Sequence, residues 1–590
     1  MKEKNNNEFR INTYVSGRIN GFRVVMLLLV VAVGAGPAVK GSFIWDDHHV
    51  IERGVLIKDL SNIPELFSHD TMYNSDNGQY EARQGMDTYR PLTMTTFALD
   101  YRLFGPGPEG FHITNLALHA ICTILVYFLC LALLGENKQT PALLAATWFG
   151  LQPWSAEAYA WINGRSDPLA TAFSLAAVLL FIKHIDGRKQ WYKSASLCLS
   201  IVFFIMACLS KEIAILLPII LTLFAFIRNE SGNRNTLSGF RLSMTRLRPL
   251  APLFILYSGA AAFYLSMRTM ALSGSLKVVE DYSRLVEAIT NLGLLTFDGM
   301  RQAVMPSNVH LRFLYEDYYH VDLWWKILAL VLLFSLSLFL LALLFPVGGR
   351  PGSTGQPIGT VSGTVRENRV SHRALSGLSG LWFILFLAPA CLITPAPNYY
   401  GFGRYLYMPL AGIAPLIGLA SELVLAKLAG RRGLSIAAGI GATIYLVAMG
   451  SQLEFFISDL KDDKSLALST IEQDPKTSHG YAALARLLAL KGKMKKARAV
   501  VIDAMGKLDK RPLSMYMLGR SLLQAGLTSE VSMVTEKGLK DYPDFSGFYC
   551  LKAALTGLTK PKVTLELLER GLALDPENRD CKNLLYNMPR

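Results

Sequence analysis

Charge is scarce in this chain. Only 18% of its 590 residues are Asp, Glu, Lys or Arg, and 51% are hydrophobic; a soluble domain carries about 25% charged residues. The mean hydropathy of +0.30 excludes an ordinary soluble globule. Cysteine is also sparse. None of the seven falls in a CxxC motif or a Cys/His cluster, which argues against a structural zinc site. Cys122, Cys130, Cys198, Cys208 and Cys391 lie in apolar runs and read as small hydrophobic filler. There is no Gly-rich phosphate loop, no strand-helix nucleotide fold, and no zinc-finger, recognition-helix or RNA-binding signature. The net charge of +14 is therefore read as a report of membrane orientation and not as a nucleic-acid footprint.

What the chain does have is long apolar runs, such as ALHAICTILVYFLCLALL and WWKILALVLLFSLSLFLLALLF. Each is long enough to cross a hydrocarbon core of roughly 30 Å. The expected fold is all-α: a polytopic membrane protein with about eleven spans. They are placed near 23–40, 112–134, 141–159, 167–184, 194–209, 212–228, 249–270, 321–346, 377–394, 404–426 and 434–456. The first span also resembles a signal peptide, and cleavage after Ala38 would leave the remaining topology unchanged. With residues 1–22 cytoplasmic, the basic segments 186–193, 228–248, 347–376 and 427–433 all fall inside. Loops 41–111 and 271–320, and everything after 456, fall outside. Residues 348–372 read as a flexible linker, and 282–305 as an amphipathic segment lying along the interface.

After residue 460 the character changes to soluble helices with an internal period. Leu484-Ala485, Leu518-Gly519 and Leu551-Lys552 open successive helices, with small residues (Ala497, Ala504, Gly538, Gly571) where helices cross. Units of about 31–34 residues match the layout of tetratricopeptide (TPR) repeats, an α-solenoid with a concave peptide-holding surface. The wide spacing of Cys550 and Cys581 in this segment argues against a disulfide.

Ionisable groups at span ends are functional candidates. The segment GSFIWDDHHVIER places Asp46, Asp47, His48 and His49 directly after the first span. Further along come Arg90, His112, Asn115, His119, Glu157, Arg165, Asp167, Lys211, Glu212, Arg404 and Tyr405, all at outward-facing span ends. Carboxylates and arginines gathered there suit group transfer from an anionic leaving group to a hydroxyl. A carboxylate takes the hydroxyl proton, and guanidinium forks hold the departing phosphate. A donor carried on a membrane lipid phosphate fits an outer face without nucleotide sugars.

Adjacent residues point about 100° apart on a helix, so Asp46 and Asp47 divide the work: one is the base and the other caps the following helix. A divalent metal held by Asp46, Asp47 and His48 is the rarer reading. Trp154, Trp161, Tyr405 and Tyr407 read as an interfacial belt. A lipid flippase and a non-enzymatic TPR scaffold are the alternatives.

FIWDDHHVI, YRPLTMTTFALDYRLFG, GFHITNLALHAICTILVYFL, EAYAWINGRSDPLA, SKEIAILLP and GRYLYMPLAG occur in this order ahead of the repeats. The ordered set resembles the transmembrane-and-TPR protein O-mannosyltransferases and their bacterial relatives, of the GT-C glycosyltransferase superfamily. The resemblance implies a GT-C fold, a polyprenyl-phosphate sugar donor, inversion at the anomeric carbon, and a protein or peptide acceptor. The expected location is a bacterial inner membrane, with the repeats on the periplasmic side by the Lys and Arg orientation. Asp46 and Asp47 match the catalytic acidic loop, with a slight lean to Asp47. Glu157, Arg165 and Asp167 match the second-loop motif, and Lys211, Glu212 and Arg404 the later ones; Arg90, Arg165, Lys211 and Arg404 are then the candidate phosphate contacts. The chain departs from the pattern at Gln152-Pro153, where His-Pro is usual, and at Gly403-Arg404-Tyr405, where Glu-Arg-Tyr is usual. The first alternative acceptor is a glycolipid or surface polysaccharide.

Overall fold

A computed structural model describes residues 21–74, 88–187, 189–232, 251–272, 282–306, 309, 321–344, 370–393, 403–508, 511–557, 560–576 and 578–588. The linker 348–372, most of the basic segment 228–248 and the N-terminal basic residues through Arg18 lie largely outside these. The chain divides into two compact units, Met1–Ser458 and Asp459–Arg590.

The first unit is helical. Its numbered helices are α1 (Gly21–Gly34), α2 (Pro91–Phe104), α3 (Pro108–Leu134), α4 (Gln139–Gly150), α5 (Ser166–Asp186), α6 (Gln190–Ser210) and α7 (Leu217–Gly232). They continue with α8 (Ala251–Ala271), α9 (Tyr282–Val304), α10 (Leu323–Leu343), α11 (His372–Leu387), α12 (Tyr407–Leu428) and α13 (Arg432–Asp459). Proline opens α2 and α3 at the first turn, where its missing N–H costs nothing.

Seven helical stretches among the described residues are long and apolar enough to cross a membrane: Pro108–Leu134, Ile162–Asp186, Gln190–Ser210, Leu323–Leu343, His372–Leu392, Gly403–Leu428 and Arg432–Asp459. The other four of the eleven expected spans take different forms. α1 has 14 residues. The stretch 141–159 is broken after α4, because Pro153 cannot continue a helix and starts a separate turn. α7 runs for 16 residues after a 3-10 turn at Glu212–Leu216. α8 is a 21-residue helix outside the seven.

α3 packs on α4, α5 and α12, and α5 lies along α6. This assembles the ends of α3, α5, α6 and α12 that carry the polar residues. α9 is the expected amphipathic element, and it packs against α10. A Cβ at Gly293 would come within 2.4 Å of the Ala329 carbonyl carbon, so glycine permits this crossing. The C-terminal end of α9 is anchored by the turn after α4: Gln152 Nε2 donates to the Ala303 carbonyl (2.9 Å), and Trp154 Nε1 to Gln302 Oε1 (2.8 Å).

The second unit comprises α14 (Asp463–Gln473), α15 (Ser478–Leu490), α16 (Met494–Lys507), α17 (Pro512–Gln524), α18 (Thr528–Asp541), α19 (Ser546–Thr556), α20 (Pro561–Leu574) and α21 (Arg579–Tyr586). α15/α16, α17/α18 and α19/α20 pair as hairpins, and α15, α17 and α19 pack in series. These three helices start 34 residues apart (512 − 478 and 546 − 512), the period of TPR units. Leu484, Leu518 and Leu551 lie inside the first helix of each hairpin, not at its start as the sequence pattern suggested. Ala497 and Ala504 are fully buried at the crossings. Tyr481, Leu518, Val534 and Phe548 belong to one continuous core.

The expectation against a disulfide is overturned. Cys550 and Cys581 are bonded, with Cα atoms 5.1 Å apart. The chain returns through α20 and sets α21 back against α19, so a separation of 31 residues in sequence becomes a contact in space. Closing a loop of that length stabilises a fold by about 3–4 kcal/mol. Replacing both cysteines by serine should therefore lower the unfolding free energy of the C-terminal unit by about 3–4 kcal/mol, read as a lower denaturant midpoint of that unit in the full chain. An unchanged midpoint would mean the bond does not form.

Candidate active site

The site begins at a tight turn after α1. The Asp47 N–H donates to the Ile44 carbonyl (3.0 Å), closing the turn over Trp45 and Asp46. Trp45 has φ = 51°, the one positive φ at a non-glycine among the described residues. That conformation costs an ordinary L-residue about 1–2 kcal/mol. The two aspartates then divide. Asp47 is fully buried: its Oδ2 accepts from the Ile44 N–H (3.1 Å) and its Oδ1 from the Asn163 N–H (2.8 Å). It ties the first outer loop to the turn before α5, and it does not cap the following helix as the sequence suggested.

Asp46 is only partly buried, and its carboxylate accepts no hydrogen bond from the described residues. Its backbone carbonyl is engaged by the His49 and Val50 N–H groups (3.0 and 2.8 Å), which leaves the side chain free on a fixed backbone. Desolvation raises its pKa above the usual carboxylate range, opposed by the Arg404 guanidinium and His49. Asp47 is pushed up to about 8 by burial, against the pull of its two N–H donors. His48 turns to Glu52 (Nδ1 to Oε2, 2.6 Å), and no group of three or more His, Cys, Asp or Glu among the described residues is arranged to hold a metal ion.

Arg165, read from sequence as a phosphate contact, is drawn inside the bundle. It has no exposed surface, and it is held by Asp100 (2.5 Å), Asn115 Oδ1 (2.5 Å), the Phe111 carbonyl (2.8 Å) and Thr96 Oγ1 (3.3 Å). The Phe97 ring lies 4.4 Å from its guanidinium carbon. Burying a cation is tolerable only with this much compensation, and these bonds tie Arg165 to residues of α2 and α3. Asn115 Nδ2 adds bonds to the Tyr159, Trp161 and Ile162 carbonyls. His119 lies between Tyr407 Oη (2.8 Å) and the Gly150 carbonyl (3.1 Å) and stacks on Tyr159. His112 is buried against Gly41, where a Cβ would stand 2.7 Å from its Nε2. All three polar residues of α3 are buried.

The remaining charges pair between segments. Lys211 Nζ meets Asp167 Oδ1 at 2.5 Å and lies 4.9 Å from the Tyr405 ring centre. Burial lowers the Lys211 pKa, opposed first by Asp167. Arg90 forks onto Glu212 (3.0 and 2.7 Å). Burial alone would raise the Glu212 pKa, but the Arg90 guanidinium overrides it and holds the carboxyl down at about 2. The Arg404 guanidinium stacks over Trp161 (4.7 Å) and Tyr405 (5.0 Å), donates to Tyr405 Oη (3.1 Å) and faces buried Glu157 at 3.9 Å.

Gly403 explains one departure from the family pattern. A Cβ there would stand 2.4 Å from the Trp154 carbonyl, so a larger residue has no room, and Glu157 supplies the acidic partner of Arg404 from another segment. Trp154, Trp161 and Tyr407 are buried, not an interfacial belt. Sequence reasoning missed Asp100 and Trp45. The i, i+7, i+10 placement of Thr93, Asp100 and Leu103 on α2 gives Asp100 no visible signature, and a strained φ has none either.

The chain resembles the TMTC protein O-mannosyltransferases. It is 27% identical over 253 residues to protein O-mannosyl-transferase TMTC4 of Homo sapiens, covering 40% of this chain and 33% of that protein. It is 32% identical over 166 residues to TMTC2 of Mus musculus (27% and 19%), and 26% over 226 residues to protein O-mannosyl-transferase F38B6.6 of Caenorhabditis elegans (37% and 30%). The chain thus spans a third or less of the length of these relatives. No family model matches it.

Two buried acids should behave unlike Asp46. Asp47→Ala orphans two N–H groups, costing about 1–3 kcal/mol each, and Asp100→Ala strands the Arg165 cation at a cost of about 3–5 kcal/mol. Asp46→Ala should stay within about 0.5 kcal/mol of the parent. Thermal unfolding in detergent separates the three; an Asp46 variant as unstable as the others would contradict the geometry.

Proposed function

We propose that this protein is a membrane glycosyltransferase that moves a mannose-like hexose from a polyprenyl-phosphate donor to a hydroxyl, that of a protein Ser or Thr, on the non-cytoplasmic face. The observation that carries the reading is the half-buried Asp46 carboxylate, which accepts no hydrogen bond from the described residues and feels the Arg404 charge, among acids and bases that are paired. In the reaction the acceptor oxygen attacks the anomeric carbon and its proton passes to Asp46. The bond from that carbon to the phosphate oxygen breaks with inversion, and the lipid phosphate leaves with its charge against Arg404. A raised carboxyl pKa makes Asp46 a stronger base. Arg404 fits the phosphate role because stacking on two rings holds its planar guanidinium, whose fork suits a phosphate, in one orientation.

Three further features support the setting. The resemblance to proteins named O-mannosyl-transferases supports the sugar and acceptor class. The Cys550–Cys581 bond suits an oxidising compartment, which agrees with the orientation read from Lys and Arg. The repeating hairpins read as TPR units that hold a peptide acceptor on their concave side.

Asp46→Asn should cut turnover of a lipid-linked hexose by about 10²–10⁴-fold, the usual contribution of a general base, with the unfolding temperature unchanged. Unreduced turnover rejects the assignment. The parent's activity should rise with pH as Asp46 ionises. Because its pKa is raised, the midpoint of that acid limb should lie above the ordinary aspartate value of about 3.9; an acid limb at or below that value contradicts Asp46 as the base.

A further inference from the structure

Trp45 occupies a position that favours glycine. It is the first central residue of the Ile44–Asp47 turn and holds φ = 51°, a region glycine enters without cost. A bulky residue kept in such a conformation marks a constraint worth explaining. Its ring meets Trp161 edge to face, with centroids 5.3 Å apart and planes at 89°. Trp161 is 2% exposed, and its carbonyl accepts from Gly164 N–H (3.1 Å) and Asn115 Nδ2 (3.3 Å), so it cannot drift. The Arg404 guanidinium lies over the same Trp161 ring, 4.7 Å from its centre. One aromatic bridge thus joins the residue before Asp46 to the cation whose charge acts on Asp46.

We infer that Trp45 is a positioning residue which, through Trp161, sets the spacing between the Asp46 carboxylate and the Arg404 guanidinium; the inference deepens the proposed function and rests on it. Alignment between a base and a leaving-group cation is needed at the transition state more than for holding the donor. The ring's loss is therefore felt in kcat.

The test uses full-length Trp45→Gly and Trp45→Phe in detergent. Trp45→Gly relieves the backbone and removes the ring; it should unfold at or above the parent's temperature, lose at least tenfold in kcat, and change the donor KM less than threefold. Trp45→Phe keeps a ring and should recover at least a third of the parent's kcat. Parental kcat in Trp45→Gly overturns the inference, as does a Phe variant no faster than Gly, or activity lost only in step with folded protein. Hydrogen exchange supplies a readout that needs no turnover. Trp45→Gly should speed exchange at least threefold both at 44–47 and at 403–406, and Trp45→Phe should not. Faster exchange confined to 44–47 overturns the mechanical link. A parent inactive on every polyprenyl-phosphate hexose instead overturns the functional reading, while the exchange data still decide the role of Trp45.

Discussion

An ion withdrawn from water must find a partner, and that requirement organises the outer ends of these helices. Desolvating a single charge costs several kcal/mol, and only close pairing with further hydrogen bonds offsets it. The chain meets the demand with pairs that cross between segments. Arg165 beside α5 takes Asp100 on α2, Lys211 after α6 takes Asp167 on α5, Arg90 before α2 takes Glu212 after α6, and Arg404 before α12 faces Glu157 in the turn after α4. Each pair joins segments distant in sequence, so the polar residues fix the mutual placement of the helix ends that a greasy interface would leave free to slide.

The same demand draws two of the four candidate cations into protein contacts. Arg165 and Arg90 have most of their donors engaged by protein groups. Asp47 spends both oxygens on backbone N–H groups that fasten the first loop to the turn before α5. Asp46, one residue away, is left with a fixed backbone, a carboxylate that accepts no hydrogen bond from the described residues, and the pull of the Arg404 charge. Rigidity in the surrounding network is what makes one unpaired acid useful, because a base that wanders contributes little.

Much of this was legible in the sequence, for physical reasons. Apolar runs mark spans whatever the fold, and a 34-residue recurrence of small residues and turn signals marks hairpins that stack. Convergence of Glu157, Lys211, Arg404 and Asp46 followed from their common position at helix ends. The finer assignments were not legible. Asp46 and Asp47 are the same residue type side by side, and only the turn at Trp45 decides which one is spent on the backbone. Pro153 splits a run that hydropathy alone joins. Gly403 looks like a loss of function until the Trp154 carbonyl is seen beside it. Cys550 and Cys581 meet because a helical hairpin folds back on itself, information held in packing and not in spacing.

The central claim is that one acid of the site is open and its neighbours are spent. Reaction of the folded, detergent-solubilised protein with a water-soluble carbodiimide and an amine, mapped by mass spectrometry, tests it most directly. The account predicts coupling at Asp46 well ahead of Asp47, Asp100 and Glu157. Protection of Asp46 together with those three, or equal labelling of all four, would contradict it.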